Sequence, residues 1–170
     1  LNNVKILETC IDLVKKLGAK KILINTFHLR NQISDFIKNK NFSIDIQIID
    51  DGIEILDTGG GILNMIKNSK DEHFMIFNPD TLWHEGYVDE INKMQDYYFL
   101  KKLNNILLLA DKRFSFDENL KGDFKLSNDL LKKNDKNNFI YTGCQILDRS
   151  LFKKYKVFNF SISEIWNELL

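Results

Sequence analysis

Leu56-Asp57-Thr58-Gly59-Gly60-Gly61-Ile62 and Phe74-Met75-Ile76-Phe77-Asn78-Pro79-Asp80 decide how this chain is read. The first is a glycine-rich turn expected to open a helix over residues 60–68. The second is an apolar run, a strand over 73–78, that stops at polar residues and ends on a carboxylate. A strand tip presenting an acid beside a backbone-rich helix start can hold a metal-bound polyphosphate and a nucleoside together. Each half alone is a weak signal. The two set about twenty residues apart in an alternating α/β pattern are a stronger one.

Upstream, Leu7, Cys10, Ile11, Val14 and Leu17 recur at helical spacing, which predicts an amphipathic helix over 3–17 ended by Gly18. A short apolar strand over 21–25 follows. Leu29, Ile33, Phe36 and Ile37 mark a second helical face. Ile44, Ile46 and Ile48 alternate with polar residues in a strand closed by Asp50-Asp51-Gly52. Downstream, a helix over 87–94 and a strand over 105–110 continue the alternation. The unbroken apolar interior of 73–78 suits a parallel strand covered on both faces. The pattern therefore predicts a mostly parallel, doubly wound sheet.

After Asp111 the texture changes. Residues 124–126, 130–132 and 139–147 read as strands. Their turns carry Asn128-Asp129 and Asn134-Asp135-Lys136-Asn137-Asn138. This is a small β-insertion returning to the sheet. A short helix over 149–154 and a terminal one from Ser163 onward finish a chain with no repeat and no linker, read as one domain over 1–170.

Composition excludes several classes. Hydrophobic residues make up 44% and charged residues 28%, a globular balance. Lys+Arg and Asp+Glu are equal at 24 each, so no global field recruits nucleic acid or a membrane surface. Cys10 and Cys144 lack metal spacing and read as buried free thiols in a reducing compartment, hence a cytoplasmic location. No apolar run reaches the length of a membrane span. Residue 1 is Leu, and the chain stops at Leu170 inside an expected helix, so a piece of a longer reading frame is expected. The sequence leaves the oligomeric state open.

The segment Leu56 through Ile62 resembles the L-E-T-G-G-G-I segment of sugar-1-phosphate nucleotidyltransferases, nearest to the branch of N-acetylmuramate-1-phosphate uridylyltransferase-like enzymes. Asn78-Pro79-Asp80-Thr81-Leu82-Trp83 resembles that family's N-x-D segment. Tyr141-Thr142-Gly143-Cys144-Gln145-Ile146-Leu147 resembles its [FY]-T-G-x-Q-[IV] strand. Ile24-Asn25-Thr26-Phe27-His28-Leu29 through Ile33 is similar to its N-x-x-H-L-x-x-Q-I start of the second helix. The matches run in family order over nearly the whole chain. They imply a three-layer α/β/α Rossmann-like, GT-A-like domain, truncated at both ends. The family's first strand and its G-x-G-T-R-x-x-P triphosphate loop are missing, and its second metal-binding aspartate would lie beyond Leu170. Pro79, the chain's only proline, stands where the family more often has a small residue.

By that resemblance, Asp80 is the catalytic metal ligand, holding Mg²⁺ with phosphate oxygens and waters. Thr58, Gly59, Gly60 and Gly61 hold the nucleoside. Asn78, Thr142 and Gly143 face the sugar phosphate. Each residue also has a plainer reading from pattern alone. Asp80 fits a solvated turn, the three glycines a flexible cap, Asn78 a strand-ending Asn, and Gly143 a bulge. His28, His73 and His84 share no metal spacing; His28 is expected to cap or pack at its helix start, and Trp83 to wall a pocket or sit in the core. The expected activity is transfer of a nucleoside monophosphate, UMP from UTP, to a sugar 1-phosphate, releasing pyrophosphate and making a nucleotide-sugar for cell-wall or surface glycans. Residues 1–170 alone are expected to be inactive. A non-catalytic nucleotide-sugar-binding domain is the alternative. A dinucleotide-binding oxidoreductase is disfavoured, since no G-x-G-x-x-G follows a strand.

Overall fold

Residues 5–115, 117, 119–127, 130–133 and 137–170 are described by the computed structural model. The first helix, α1 (Ile6–Lys16), buries Cys10, Ile11 and Leu13 on one face. Glu8 in its first turn and Lys15 and Lys16 in its last complement the helix dipole. Gly18, at φ +82°, lets the chain turn out of it. The expected start of this helix at Asn3 lies outside the described residues.

β1 (Lys21–Thr26) pairs parallel with β2 (Asp45–Asp50), Ile22 opposite Ile46 and Ile24 opposite Ile48. α2 (Arg30–Lys40) crosses between them and buries no residue fully. Leu29 lies just before this helix, exposed and in the left-handed region at φ +55°, rather than on its apolar face.

α3 (Asp57–Lys67) starts three residues earlier than the glycine run suggests, so Gly59, Gly60 and Gly61 form its buried first turns rather than an open loop. β3 (His73–Phe77), α4 (Val88–Leu100) and β4 (Asn105–Asp111) follow. α4 runs six residues past its expected end because Tyr98, at 1% exposure, still points into the core. β5 (Lys125–Ser127) and β6 (Leu130–Lys132) form a small antiparallel pair. The expected turn at Asn128-Asp129, and Asn134-Asp135-Lys136 of the next one, lie outside the described residues. β7 (Phe139–Asp148), a 3₁₀ turn at Arg149–Phe152 and α5 (Ile162–Leu169) complete the chain.

The expectation of a mostly parallel sheet needs correction. Among the described residues the parallel pair β1–β2 stands apart, and the other main sheet has the order β3-β7-β4 with β7 antiparallel to both neighbours. The reason is topological. β7 returns from the β-insertion without a helical crossover, so it enters between β3 and β4 running the other way.

The architecture is mixed α/β, with apolar clusters on both faces of β3. Met75 and Phe77 pack with α1 and α4 around Ile91, Tyr98 and Cys144. Phe74 and Ile76 pack with α3 and α5 around Ile66, Phe160 and Ile165. This two-sided burial explains the unbroken apolar run of β3. At the centre of β7, buried Gln145 accepts a 3.1 Å hydrogen bond from the Trp166 indole N–H, which ties α5 to the sheet.

Candidate active site

The C-terminal tip of β3 is fastened to β7 by a short set of hydrogen bonds. The Asn78 backbone N–H donates to the Gly143 carbonyl at 2.7 Å. The Thr81 hydroxyl donates to the Thr142 carbonyl at 3.0 Å, and the Trp83 indole N–H donates to the Asn78 carbonyl at 2.9 Å. Trp83 is itself buried, edge-on to Phe77 and Tyr87, so the turn after β3 rests on a core aromatic. Of the two expected places for Trp83, it takes the core.

Gly143 has φ +90°, and an added Cβ would lie 2.8 Å from the Asn78 Cβ. The glycine is therefore required by close approach of the Asn78 side chain, in a backbone conformation that other residues adopt at a cost. The Thr142 hydroxyl donates to the Leu108 carbonyl at 2.9 Å, where the β4–β7 register shifts between Leu107 and Leu109. So Asn78, Thr142 and Gly143 do come together. Asp80 lies at the tip of the same turn, exposed, with no hydrogen bond or ion pair to it among the described residues.

The glycine helix is held differently. The N–H groups of Gly59 and Gly60 both donate to the Phe160 carbonyl, at 2.9 and 3.2 Å. A Cβ on Gly59 would meet the Phe160 ring, and one on Gly60 the Phe158 carbonyl. Thr58 accepts the Ile162 N–H on its hydroxyl at 3.0 Å. Asp57, at φ +53°, receives the Thr58 N–H on its own carboxylate at 2.5 Å. The space kept open by Gly59 and Gly60 is thus filled by residues 158–160. Three of the helix's N-terminal donors, the N–H groups of Thr58, Gly59 and Gly60, are already bonded.

A polar cluster that the sequence reading did not single out lies beside Gly61. Asn25 donates to one Asp51 oxygen at 2.6 Å and Asn64 to the other at 2.9 Å. Asn64 also donates to the Asp50 carbonyl at 3.0 Å, and Arg30 pairs with the Asp50 carboxylate. A Cβ on Gly61 would lie 2.7 Å from the Asn25 amide nitrogen. The available signal was the ending of two parallel strands on Asn25-Thr26 and Asp50-Asp51, where open α/β sheets gather ligand groups. His28 is exposed, and among the described residues no side-chain hydrogen bond caps the start of α2.

Asp111, at the end of β4, has its carboxyl held below the usual carboxylate range by hydrogen bonds from the Arg113 side chain. Among the described residues, no group of three or more His, Cys, Asp or Glu side chains converges as a metal site. The exposed carboxylate of Asp80 is of the kind Mg²⁺ can take, since that ion uses one or two carboxylates and completes its shell with water and phosphate.

No protein-family model matches the chain, and no curated protein sequence does. Solved structures do. HddC from Yersinia pseudotuberculosis complexed with GMP-PN is 20% identical with a TM-score of 0.68, over 91% of this chain and 68% of HddC. The inositol-1-phosphate CTP transferase from T. maritima is 10% identical with a TM-score of 0.75, over 99% and 69%. UDP-glucose pyrophosphorylase complexed with UDP-glucose is 14% identical with a TM-score of 0.73, over 96% and 74%. This chain shares their fold. At these identities, the fold is what the likeness establishes.

Proposed function

We propose that residues 1–170 form a single nucleotidyltransferase domain of the three-layer α/β/α type. Its activity joins a nucleoside monophosphate, UMP from UTP, to a sugar 1-phosphate with release of pyrophosphate. One observation carries the reading. Asp80, exposed and unpaired among the described residues, sits at a strand tip that is locked, through Asn78, onto Thr142 and Gly143 of β7. Three proteins of this fold are named for a bound nucleotide, a nucleotidyl transfer or a nucleotide-sugar.

Asp80 would hold Mg²⁺, which when bound neutralises phosphate charge. Asn78, fixed by the Gly143 carbonyl and by Trp83, places its amide beside the sugar phosphate. Gly143 leaves the room for that amide, and Thr142 sets the strand edge. Thr58 and Gly59 through Gly61 set the position and angle of the α3 start, the nucleoside side of the site. No covalent intermediate on the protein is needed, because one phosphate oxygen attacks the α-phosphorus directly and catalysis is alignment and charge neutralisation. The product serves cell-wall or surface-glycan metabolism in the cytoplasm, where buried free thiols such as Cys10 and Cys144 persist.

The test is pyrophosphate release from UTP, CTP, GTP and ATP with Mg²⁺ and a panel of sugar 1-phosphates. Release with at least one pair supports transfer, and a preference for UTP supports the uridylyl reading. A second reading, nucleotide-sugar binding without turnover, is favoured by the single candidate carboxylate and by the bonded donors of Gly59 and Gly60. Calorimetric binding of UDP-sugars with no pyrophosphate release under any pairing would establish it.

A further inference from the structure

Along the edge of β7 that faces β3, every second residue bonds across. Leu147 and Gln145 stand opposite Phe74 and Ile76, and the Gly143 carbonyl accepts the Asn78 N–H at 2.7 Å. Farther along the same edge, Phe139 and Phe124 exchange hydrogen bonds in both directions, at 2.9 and 3.0 Å. Tyr141 lies between these two pairings. β3 has ended at Phe77 and the chain turns at Pro79, so among the described residues no strand stands opposite Tyr141 on that edge. A side chain takes its N–H instead: the Asp123 carboxylate accepts it at 2.8 Å.

On its other edge β7 is irregular at the same place. Leu107 pairs with Gln145 and Leu109 with Tyr141, so Thr142, Gly143 and Cys144 together face Leu108 alone. A bulge re-aims the groups it carries. Here the Thr142 carbonyl accepts the Thr81 hydroxyl at 3.0 Å, and the Gly143 carbonyl holds Asn78. The bulge therefore grips the turn that bears Asp80, and Tyr141 is the residue at which it begins. Asp123 is itself fixed. Its N–H donates to the Phe139 carbonyl at 2.7 Å, and its carbonyl accepts the Asn137 side-chain amide at 3.0 Å. A Cβ on the preceding Gly122 would lie 2.6 Å from the Asn137 carbonyl oxygen, so the approach that delivers the carboxylate requires glycine there. A water on the Tyr141 N–H would move with the bulge if it straightened. A carboxylate anchored by its own backbone does not, and an ionised acceptor makes the stronger bond.

We propose that Asp123 is a positioning residue for the sugar-phosphate side of the candidate site. It pins the start of the β7 bulge so that Thr142 and Gly143 hold the β3 tip. The assignment rests on the nucleotidyl reading for its substrate, a sugar 1-phosphate. Asp123 acts through the backbone of β7 and on one half of the site, because the start of α3 is held elsewhere. There the Phe160 carbonyl accepts the N–H groups of Gly59 and Gly60, and the Ile162 N–H donates to Thr58. Loss of the Asp123 carboxylate thus loosens Asn78 and Asp80 and leaves Thr58 to Gly61 in place.

Two measurements on the ¹⁵N-labelled chain and its Asp123→Ala and Asp123→Asn variants test it. The first is amide hydrogen exchange, which needs no turnover. Asp123→Ala should speed exchange roughly tenfold or more at Tyr141 and at Asn78, and leave Gly59 and Gly60 as in the parent. Asp123→Asn keeps an acceptor oxygen in the same place and should stay near the parent at all four. Faster exchange at Tyr141 with Asn78 unchanged overturns the proposal, because the bond is then not transmitted to the β3 tip. Equal acceleration at Gly59 and Gly60 overturns it too, as a general loss of stability. The second measurement is pyrophosphate release with any nucleoside triphosphate and sugar 1-phosphate that the parent turns over. Asp123→Ala should raise KM for the sugar 1-phosphate roughly tenfold and leave KM for the triphosphate within about twofold, with Asp123→Asn restoring the first. An equal rise in both KM values overturns the assignment. A parent chain inactive with every pair counts against the nucleotidyl reading, and the exchange pattern then decides by itself whether Asp123 positions the β3 tip.

Discussion

The Asn78 backbone N–H donates to the Gly143 carbonyl at 2.7 Å, which clamps the tip of β3 to β7 where the apolar run gives way to the candidate site. Gly143 makes the clamp possible: at φ +90°, an added Cβ would lie 2.8 Å from the Asn78 Cβ and 3.0 Å from the Thr81 hydroxyl. Gly143→Ala should therefore destabilise the chain by roughly 1–3 kcal/mol through backbone conformation alone, with the Asn78 contact adding to it. Urea unfolding monitored by tryptophan fluorescence measures this. An unchanged midpoint would remove the case for a strained, site-forming glycine.

Gly60→Val should abolish stable folding rather than selectively weaken nucleoside binding. Its Cβ would collide with the Phe158 backbone carbonyl, and the Leu56 Cβ lies 3.1 Å away, so the clash is with groups that cannot rotate aside. Far-ultraviolet circular dichroism and thermal melts decide it. A variant that folds with a wild-type melting midpoint and loses only UTP binding would instead restore the picture of a glycine kept open for a base.

The two quoted stretches located the important parts of the fold, but for different reasons. The run 74–77 was legible because burial on two faces demands apolar residues at every position, a local and strong pattern. Asn78, Asp80, Thr142 and Gly143 were legible as a turn after a strand and a glycine within one. Nothing local reveals why Gly59 and Gly60 are glycine, since their partners Phe158 and Phe160 lie about a hundred residues away in sequence. The antiparallel placement of β7 was hidden for the same reason. An apolar strand buried on both faces reads alike whichever way it runs, and only its connection, a return from the β-insertion rather than a helical crossover, fixes its direction. The Asn25–Asp51–Asn64 cluster joins three elements through side-chain amides, and amides at strand ends look like ordinary turn residues.

Alkaline pH should weaken the fold from about pH 9 upward. Burial pushes the Cys10 and Cys144 thiols up to about 12 from an ordinary 9.0, and Tyr98 up to about 12 from 10.0. Tyr141 is raised as well, again mainly by burial. The sign is fixed by these directions. Groups whose folded-state values are raised contribute stability that is present below their unfolded values and is lost as pH climbs through the folded ones. The urea midpoint should hold between pH 7 and 8.5 and fall progressively toward pH 11. Cys10→Ala should reduce the pH dependence, whatever it does to absolute stability. A midpoint that stays level from pH 8 to 11 would contradict the buried, protonated state of these groups.

Asp80 is the residue on which the proposed chemistry turns, and its exposure makes it a clean test. Because the side chain is exposed and unpaired among the described residues, Asp80→Ala should change stability by no more than about 0.5 kcal/mol, as for an ordinary surface position. If the carboxylate orients Mg²⁺ against the phosphates, its loss removes several kcal/mol of transition-state stabilisation, about a hundredfold or more in rate. Asp80→Asn keeps the size and removes the charge, so it should fall as far as alanine and should raise the Mg²⁺ concentration needed for any residual turnover. The backbone clamp between Asn78 and Gly143 is untouched by either change, which keeps a fold defect from mimicking a chemical one. Pyrophosphate release as a function of Mg²⁺, set beside urea midpoints for the same two variants, separates the possibilities. Turnover within a few-fold of the parent at saturating Mg²⁺ would show that the metal is held elsewhere and that the β3 tip serves only to shape the sugar side of the site.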